Sequence, residues 1–273
     1  MMRRETQRLI LLLLPAGILF SAFFLIPMAE LFLIGGAGKD GWAAYAAILT
    51  NANYFNSLLA TLGVAVLTTI VTLIISGISG VFLQRHKFRG NGALVAMLTF
   101  PLAFPGVVIG FMVIMLAGRQ GLIGAVSEAL IGDKIVFAYS LTGLFMGYVY
   151  FSIPRTILTV MAAAEKLDPK LEEAARSLGA SPFRVVLDVI IPGLKPAFIS
   201  AGAICFATAV GAFGTAFTLA ARINVLPMVI YTEFTLAANI TMAAALSFVL
   251  GAVTWIVLAL ARTAAGGTVA AAG

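Results

Sequence analysis

Few residues in this sequence could do chemistry, and none is arranged to do it. A phosphate-cradling loop needs G-x-x-x-x-G-K-[ST], because backbone donors hold the phosphates and the hydroxyl holds magnesium. Gly38-Lys39 comes nearest, yet Leu33 stands where the first glycine belongs and Asp40 where the hydroxyl belongs. The lone histidine, His86, lies between Arg85 and Lys87 as a solvated side chain. The lone cysteine, Cys205, sits in an apolar stretch, so neither a disulfide within the chain nor a zinc or iron-sulfur spacing is possible. Paired catalytic carboxylates and nucleophile-base sets are missing too. The expected catalytic, cofactor-binding and metal-ligating residues are therefore none. What remains is isolated charge: Glu30 and Glu233 beside apolar runs, suited to attracting a cation.

The elements that must position these residues follow from composition. With 62% hydrophobic and 10% charged residues over 273, and a mean hydropathy of +1.09, the chain has too little polar surface to cover a globule in water. Lipid must be its main solvent. A bilayer core about 30 Å thick takes roughly 20 helical residues. Six apolar runs qualify, at about 9–34, 57–83, 93–116, 135–161, 197–221 and 242–261. The sequence thus predicts an all-α membrane protein: six transmembrane helices in one domain over 1–273, with a polar loop at 162–196. The first run is too long for a signal peptide and is kept as a span.

Lys and Arg choose the orientation. Arg3, Arg4, Arg8, Arg85, Lys87, Arg89, Arg155, Lys166, Lys170, Arg176, Arg184, Lys195 and Arg262 fall to one side, against Lys39, Arg119, Lys134 and Arg222 on the other. Both termini are expected in the cytoplasm. The net charge of +6 serves this asymmetry; the cations form no stripe with aromatics, which argues against nucleic acid. Prolines at 15, 27, 101, 105 and 154 predict kinks within spans. Gly106 with Gly110, and Gly143 with Gly147, predict close packing of the third and fourth spans, within this chain or across a dimer. The small, uncharged tail from Thr263 is expected to fray.

The loop at 162–196 is the one long polar stretch. Asp168 before Pro169 is an N-cap with proline in the first helical position, and Gly179 is a left-handed stop, which predicts a helix over Pro169 to Leu178. Ser181-Pro182 repeats the start signal, so a second helix runs from Phe183 through Pro192 towards the membrane. Leu171, Ala174, Ala175 and Leu178 make an apolar stripe at i, i+3, i+4 and i+7. Spacing alone allows either a docking surface or an amphipathic loop resting on its own membrane domain. A DNA-reading helix-turn-helix fails, because the helix is short and Glu172 and Glu173 balance its charge.

Glu173-Ala174-Ala175, Gly179, Val189 and Ile191-Pro192 stand at the spacing E-A-A-x3-G-x9-I-x-L-P. The pattern resembles the EAA signature of permease subunits of binding-protein-dependent type I ABC importers, with Val189 for isoleucine and Ile191 for leucine. The resemblance implies an inner-membrane subunit of bacterial type that forms half of a pathway. Its partners would be a cytoplasmic ABC ATPase dimer, where ATP and magnesium bind, a second permease subunit, identical or homologous, and a periplasmic binding protein. By position, Glu173, Ala174, Ala175, Leu178 and Gly179 would dock the ATPase. Asp168, Pro169, Ser181, Pro182 and Pro192 would shape the loop.

Phe100-Pro-Leu-Ala-Phe-Pro-Gly-Val-Val-Ile-Gly110, followed by Gly118-Arg-Gln-Gly121, is similar to the subgroup serving polyamines, iron(III), thiamine, aminoalkylphosphonate, sulfate and molybdate. A polyamine is the expected cargo: Glu30 and Glu233 would attract the cation and Tyr148 would offer an aromatic face. Iron(III), thiamine or an aminoalkylphosphonate are alternatives in the same role. A secondary transporter is the other class, and it would call for intramembrane acids and an internal repeat. A purely structural membrane protein would leave the loop unexplained.

Overall fold

The computed structural model of this chain describes residues 2–38, 41–219 and 223–265, with side chains from residue 11 onward. In chain order, α1 (Met2–Phe20) passes through a π turn (Ser21–Leu25) into α2 (Ile26–Gly36), followed by α3 (Ala43–Thr50) and α4 (Ala52–Arg85). Next come α5 (Asn91–Thr99), a 3₁₀ turn (Phe100–Ala103), α6 (Gly106–Ala117), α7 (Leu122–Ile131) and α8 (Leu141–Lys166). After α9 (Pro169–Ser177), a π turn (Val186–Ile190) joins α10 (Pro182–Val185) to α11 (Ile191–Val210). The last elements are α12 (Phe213–Leu219), α13 (Leu226–Tyr231) with a π turn (Thr232–Leu236), and α14 (Ile240–Ala265). Among the described residues there is no strand.

Among the described residues, six stretches are long and apolar enough to cross a membrane: Leu11–Gly36, Ala52–Arg85, Gly106–Ile131, Leu141–Lys166, Pro182–Val210 and Ile240–Ala265. Their number agrees with the sequence, while two positions are corrected. The third lies C-terminal to the expected 93–116, and the fifth begins within the loop expected at 162–196 and stops before 221. Lys39 and Asp40, the end of the expected fifth span at 220–221, Arg222, the side chains of Arg3, Arg4 and Arg8, and the tail from residue 266 lie outside the described residues.

Proline chemistry accounts for the start of both spans, while the fifth stops at Val210, capped by Gly211. Pro101 and Pro105 do not kink a helix; they end one. Thr99 closes α5, Pro101 sits in the first turn of the 3₁₀ segment, and Phe104 is extended at φ −96°, ψ 131°. Pro105 then caps α6 from an extended conformation. Each ring removes a backbone donor, and a residue before proline is pushed away from the helical region. Single prolines are absorbed instead. Before Pro27 the Ile26 N–H reaches back to the Ser21 carbonyl, and before Pro192 the Ile191 N–H reaches the Val186 carbonyl. Widening that turn moves the carbonyl the ring would strike, so helix runs on through both sites.

Residues Met1–Asn56 with Val229–Ala252 form one compact unit, and Ser57–Met228 with Val253–Gly273 a second. In the first, Phe32 lies 5.0 Å from Trp42, 5.6 Å from Tyr45 and 4.9 Å from Phe248 by ring centroid. The Tyr45 hydroxyl donates to the Phe32 carbonyl. Such ring pairs add about 0.5–1.5 kcal/mol each beyond area burial.

In the second unit α12 packs on α6 and α8. Gly106, Gly110 and Gly147 admit this helix, while Gly143 meets Ala138, so α12 adds a third partner to the expected packing of spans three and four. A Cβ on Gly110 would lie 2.6 Å from Thr218 Cβ, and one on Gly147 3.0 Å from Thr215 Cγ2. Gly147 also meets Val113 and Ile109 of α6, so that part of the expected contact is present. Thr215, 1% exposed, donates to the Gly106 carbonyl over 2.9 Å. Leu226 N–H donates to Thr61 Oγ1 over 2.7 Å, fixing the start of α13 on α4.

Candidate functional site

The helix α9 is short, and its caps are all local. Asp168 Oδ1 accepts from Lys170 N–H over 2.9 Å, and Pro169 needs no partner at the first helical position. At the other end Ala180 N–H reaches the Ala175 carbonyl and Gly179 N–H the Arg176 carbonyl, with Gly179 at φ +85°. This closure satisfies carbonyls that would otherwise lack donors, and it requires the left-handed backbone that glycine adopts freely. Ser181 Oγ accepts from Arg184 N–H and starts α10, again with proline, Pro182, in the first turn. Pro192 is exposed in the first turn of α11.

One edge of α9 is fastened to the bundle by charge. Arg85, the last residue of α4, places Nη2 2.7 Å from Glu172 Oε1, and the two side chains are 19% and 12% exposed. Arg85 also donates to the Leu167 carbonyl over 3.0 Å. Leu167 lies against Gly193, where a Cβ would stand 2.6 Å from Leu167 Cδ1. The junction between α8 and α9 is therefore clasped by α4 on one side and α11 on the other. Sequence spacing does not disclose this clasp: it shows Glu172 only as an acid balancing the charge of the helix, and Arg85 only as part of the charge asymmetry. The available signal was a charge at the last turn of a span, where a helix C-terminus favours a cation and a nearby acid can pair with it.

The opposite edge is open. Glu173, Ala174, Leu171 and Leu178 are exposed, Leu178 at 89%, while Ala175 is half-buried. The apolar stripe thus points away from the bundle for most of its length. Leu178 is the residue at the end of α9, immediately before the Gly179 stop.

The pathway residues are dispersed. Glu30 is exposed on α2. Glu233, half-buried, accepts a hydrogen bond from the Tyr54 hydroxyl over 2.8 Å. Tyr148 is 3% exposed and its hydroxyl donates to the Ala212 carbonyl over 2.6 Å. The expectation that its ring offers an open aromatic face is corrected: burial turns Tyr148 into a tie between α8 and the turn before α12. Arg155, grouped by sequence with cytoplasmic cations, lies well inside α8.

Comparison with known proteins agrees with this plan. The family model described as "Binding-protein-dependent transport system inner membrane component" matches residues 73–265. A putative 2-aminoethylphosphonate transport system permease protein, PhnU of Salmonella typhimurium, is 27% identical over 247 residues, 88% of this chain and 86% of its own. The sulfate transport system permease protein CysT of Escherichia coli K12 is 30% identical over 203 residues, covering 73% of this chain and 70% of its own. The crystal structure of a bacterial alginate ABC transporter with its alginate pentasaccharide-bound periplasmic protein has a chain that superposes with a TM-score of 0.78. That match is 16% identical and covers 95% of this chain and 94% of the other, so it speaks for the fold alone. With the family model spanning most of the sequence and six membrane-crossing helices to match, the chain belongs to the binding-protein-dependent inner-membrane components, as a permease subunit of a type I ABC importer.

Proposed function

We propose that α9 is the coupling helix of this permease and seats in a separate cytoplasmic ATPase dimer, where ATP and magnesium bind. The observation that carries this reading is Leu178, 89% exposed beside an open Ala174 while Glu172 on the other edge is clasped by Arg85. A helix resting on its own bundle would turn Leu171 and Leu178 inward. Glu173 makes polar contacts with the ATPase, Ala174 and Ala175 allow close approach, and Gly179 makes the turn. Asp168, Pro169, Ser181, Pro182 and Pro192 hold the loop in shape. ATP-driven closure of the partner would carry α9 and its clasp as one body into the spans. The whole chain, 1–273, acts as one transmembrane domain with both termini in the cytoplasm. A second permease completes the pathway, and a periplasmic binding protein loads it. Co-expression tests the reading: the ATPase of the same transport system should co-purify with this chain, and its absence from the purified complex would refute it.

For the cargo, an aminoalkylphosphonate has more support than a polyamine. The relatives named above are designated for 2-aminoethylphosphonate and sulfate, both carrying a tetrahedral oxyanion. Glu30 and Glu233 then meet the ammonium end of the molecule rather than a polycation.

A further inference from the structure

Between Leu141 and Ala164 the helix α8 carries a single charged side chain, Arg155. At about 1.5 Å per residue it stands about 16 Å from Lys166 and about 21 Å from Leu141. A guanidinium at that depth does not face lipid; such residues turn to a bundle interior or to a water-filled path. Arg155 is nonetheless exposed on the surface of this chain, so the face that carries it is covered by something polar. Its Nη1 donates to Thr208 Oγ1 over 3.2 Å, and Thr208 in turn donates to the Ile204 carbonyl over 2.7 Å. Among the described residues it has no ion pair. A guanidinium presents five donors in a planar fork, so most of its capacity is available to a ligand.

The fork opens onto a cavity of about 290 Å³. Its walls are the break between α5 and α6, at Pro101 and Phe104, and the turn between α11 and α12, at Gly211 and Ala212. Among the described residues, the lining contains no acidic side chain, and Arg155 is its one charge. Both walls exist because the helices are interrupted there, which brings irregular backbone to a cavity instead of to lipid. A lone planar fork in a site without acids matches a tetrahedral oxyanion, held by two parallel N–H···O bonds. It repels a polyamine.

We infer that Arg155, steadied by Thr208, is the anion-recognising residue of a transit site inside the membrane that takes a small tetrahedral oxyanion, phosphonate or sulfate. This rests on the permease reading and adds to it the residue that discriminates by charge. The rival arrangement is an ion pair between Arg155 and a carboxylate of the second permease subunit.

The test uses the complete transporter in proteoliposomes. In a Cys205→Ala background, Ala212→Cys places a thiol in the cavity wall. Its modification rates by sulfonatoethyl and aminoethyl methanethiosulfonate are compared with Arg155 present and with Arg155→Gln. Arg155 should raise the anionic-to-cationic rate ratio on the order of tenfold or more, as a focused field does for a charged solute. In parallel, uptake of 2-aminoethylphosphonate and of sulfate should fall on the order of tenfold in Arg155→Gln and recover in part in Arg155→Lys, with the second permease and ATPase still bound. Where the unmutated transporter takes up either probe, both results are required. A rate ratio unmoved by Arg155→Gln, uptake unaffected by it, or loss of the second permease from the purified variant overturns the inference. Should the unmutated transporter take up neither probe, the cargo reading has failed, and the labelling ratio still decides the role of Arg155.

Discussion

Arg85 and Glu172 meet at 2.7 Å across the gap between the end of α4 and the side of α9, and the same guanidinium holds the Leu167 carbonyl at 3.0 Å. One side chain therefore fixes both the start of α9 and its middle to a membrane-crossing helix. The two helices are thus joined directly, as the coupling role proposed for α9 requires.

Because the pair is mostly withdrawn from solvent, removing Glu172 leaves Arg85 without its ion pair, and removing Arg85 leaves Glu172 only the more distant Arg176 at 4.0 Å. Arg85→Ala and Glu172→Ala should each lower the thermal stability of the purified chain, and the double variant should lose less than the sum. The coupling energy should lie at about 1–3 kcal/mol. Strict additivity in the cycle would show that the clasp contributes nothing.

At Gly179 the space around an added Cβ is empty, so the cost of substitution is purely conformational. With φ at +85°, alanine should cost about 1 kcal/mol, and asparagine, which tolerates the left-handed region, less. Uptake should rank Gly, then Asn, then Ala; Gly179→Asp, which tolerates the same backbone but adds a charge at the proposed ATPase contact, should abolish transport while the chain stays inserted. Wild-type ATPase association and uptake in Gly179→Asp would contradict the contact proposed at Gly179.

Gly110 is a different case, since its Cβ would strike Thr218. Gly110→Leu should destabilise the packing of α6 on α12 by about 1–3 kcal/mol, the usual penalty of overpacking. Gly63, with nothing within 4 Å, is the control: Gly63→Leu should leave the melting temperature nearly unchanged. Equal losses at the two sites would remove α12 as the partner of Gly110.

Substrate dependence separates the two acids from the rest of the bundle. If Glu30 and Glu233 meet the ammonium group, Glu30→Gln and Glu233→Gln should raise the half-saturating concentration for 2-aminoethylphosphonate severalfold and leave sulfate unaffected. Glu233→Gln can still accept from Tyr54, so its fold should persist. No change with either solute would end their assignment to the pathway.

What the sequence disclosed was whatever is settled within a few residues. Asp168-Pro169, Gly179 and Ser181-Pro182 act on their own backbone, so the boundaries of α9 and the start of α10 could be placed to within a residue. The six apolar runs were legible because lipid demands length and little else. The break at Phe104 was not, since hydropathy stays high across it and one proline reads as a kink where a pair makes a gap. The short helices α12 and α13 hid for the same reason, being apolar. Contacts across the fold were beyond reach: neither the partner of Glu172 nor the burial of Tyr148 is a property of local spacing. Arg155 was counted as an inner-side cation because a charge in an apolar chain is read first as a loop marker.

If the open edge of α9 docks an ATPase, Leu178, 89% exposed at the end of that edge, is its apolar anchor. Leu178→Asp leaves the caps and the Arg85–Glu172 clasp intact, so the chain should insert and fold as before. The decisive measurement is the amount of ATPase retained by the purified permease. It should fall at least tenfold in Leu178→Asp, since an unpaired carboxylate replaces an apolar anchor in the contact. Retention equal to that of the unmutated chain, with ATP-driven uptake intact, would contradict docking through that edge.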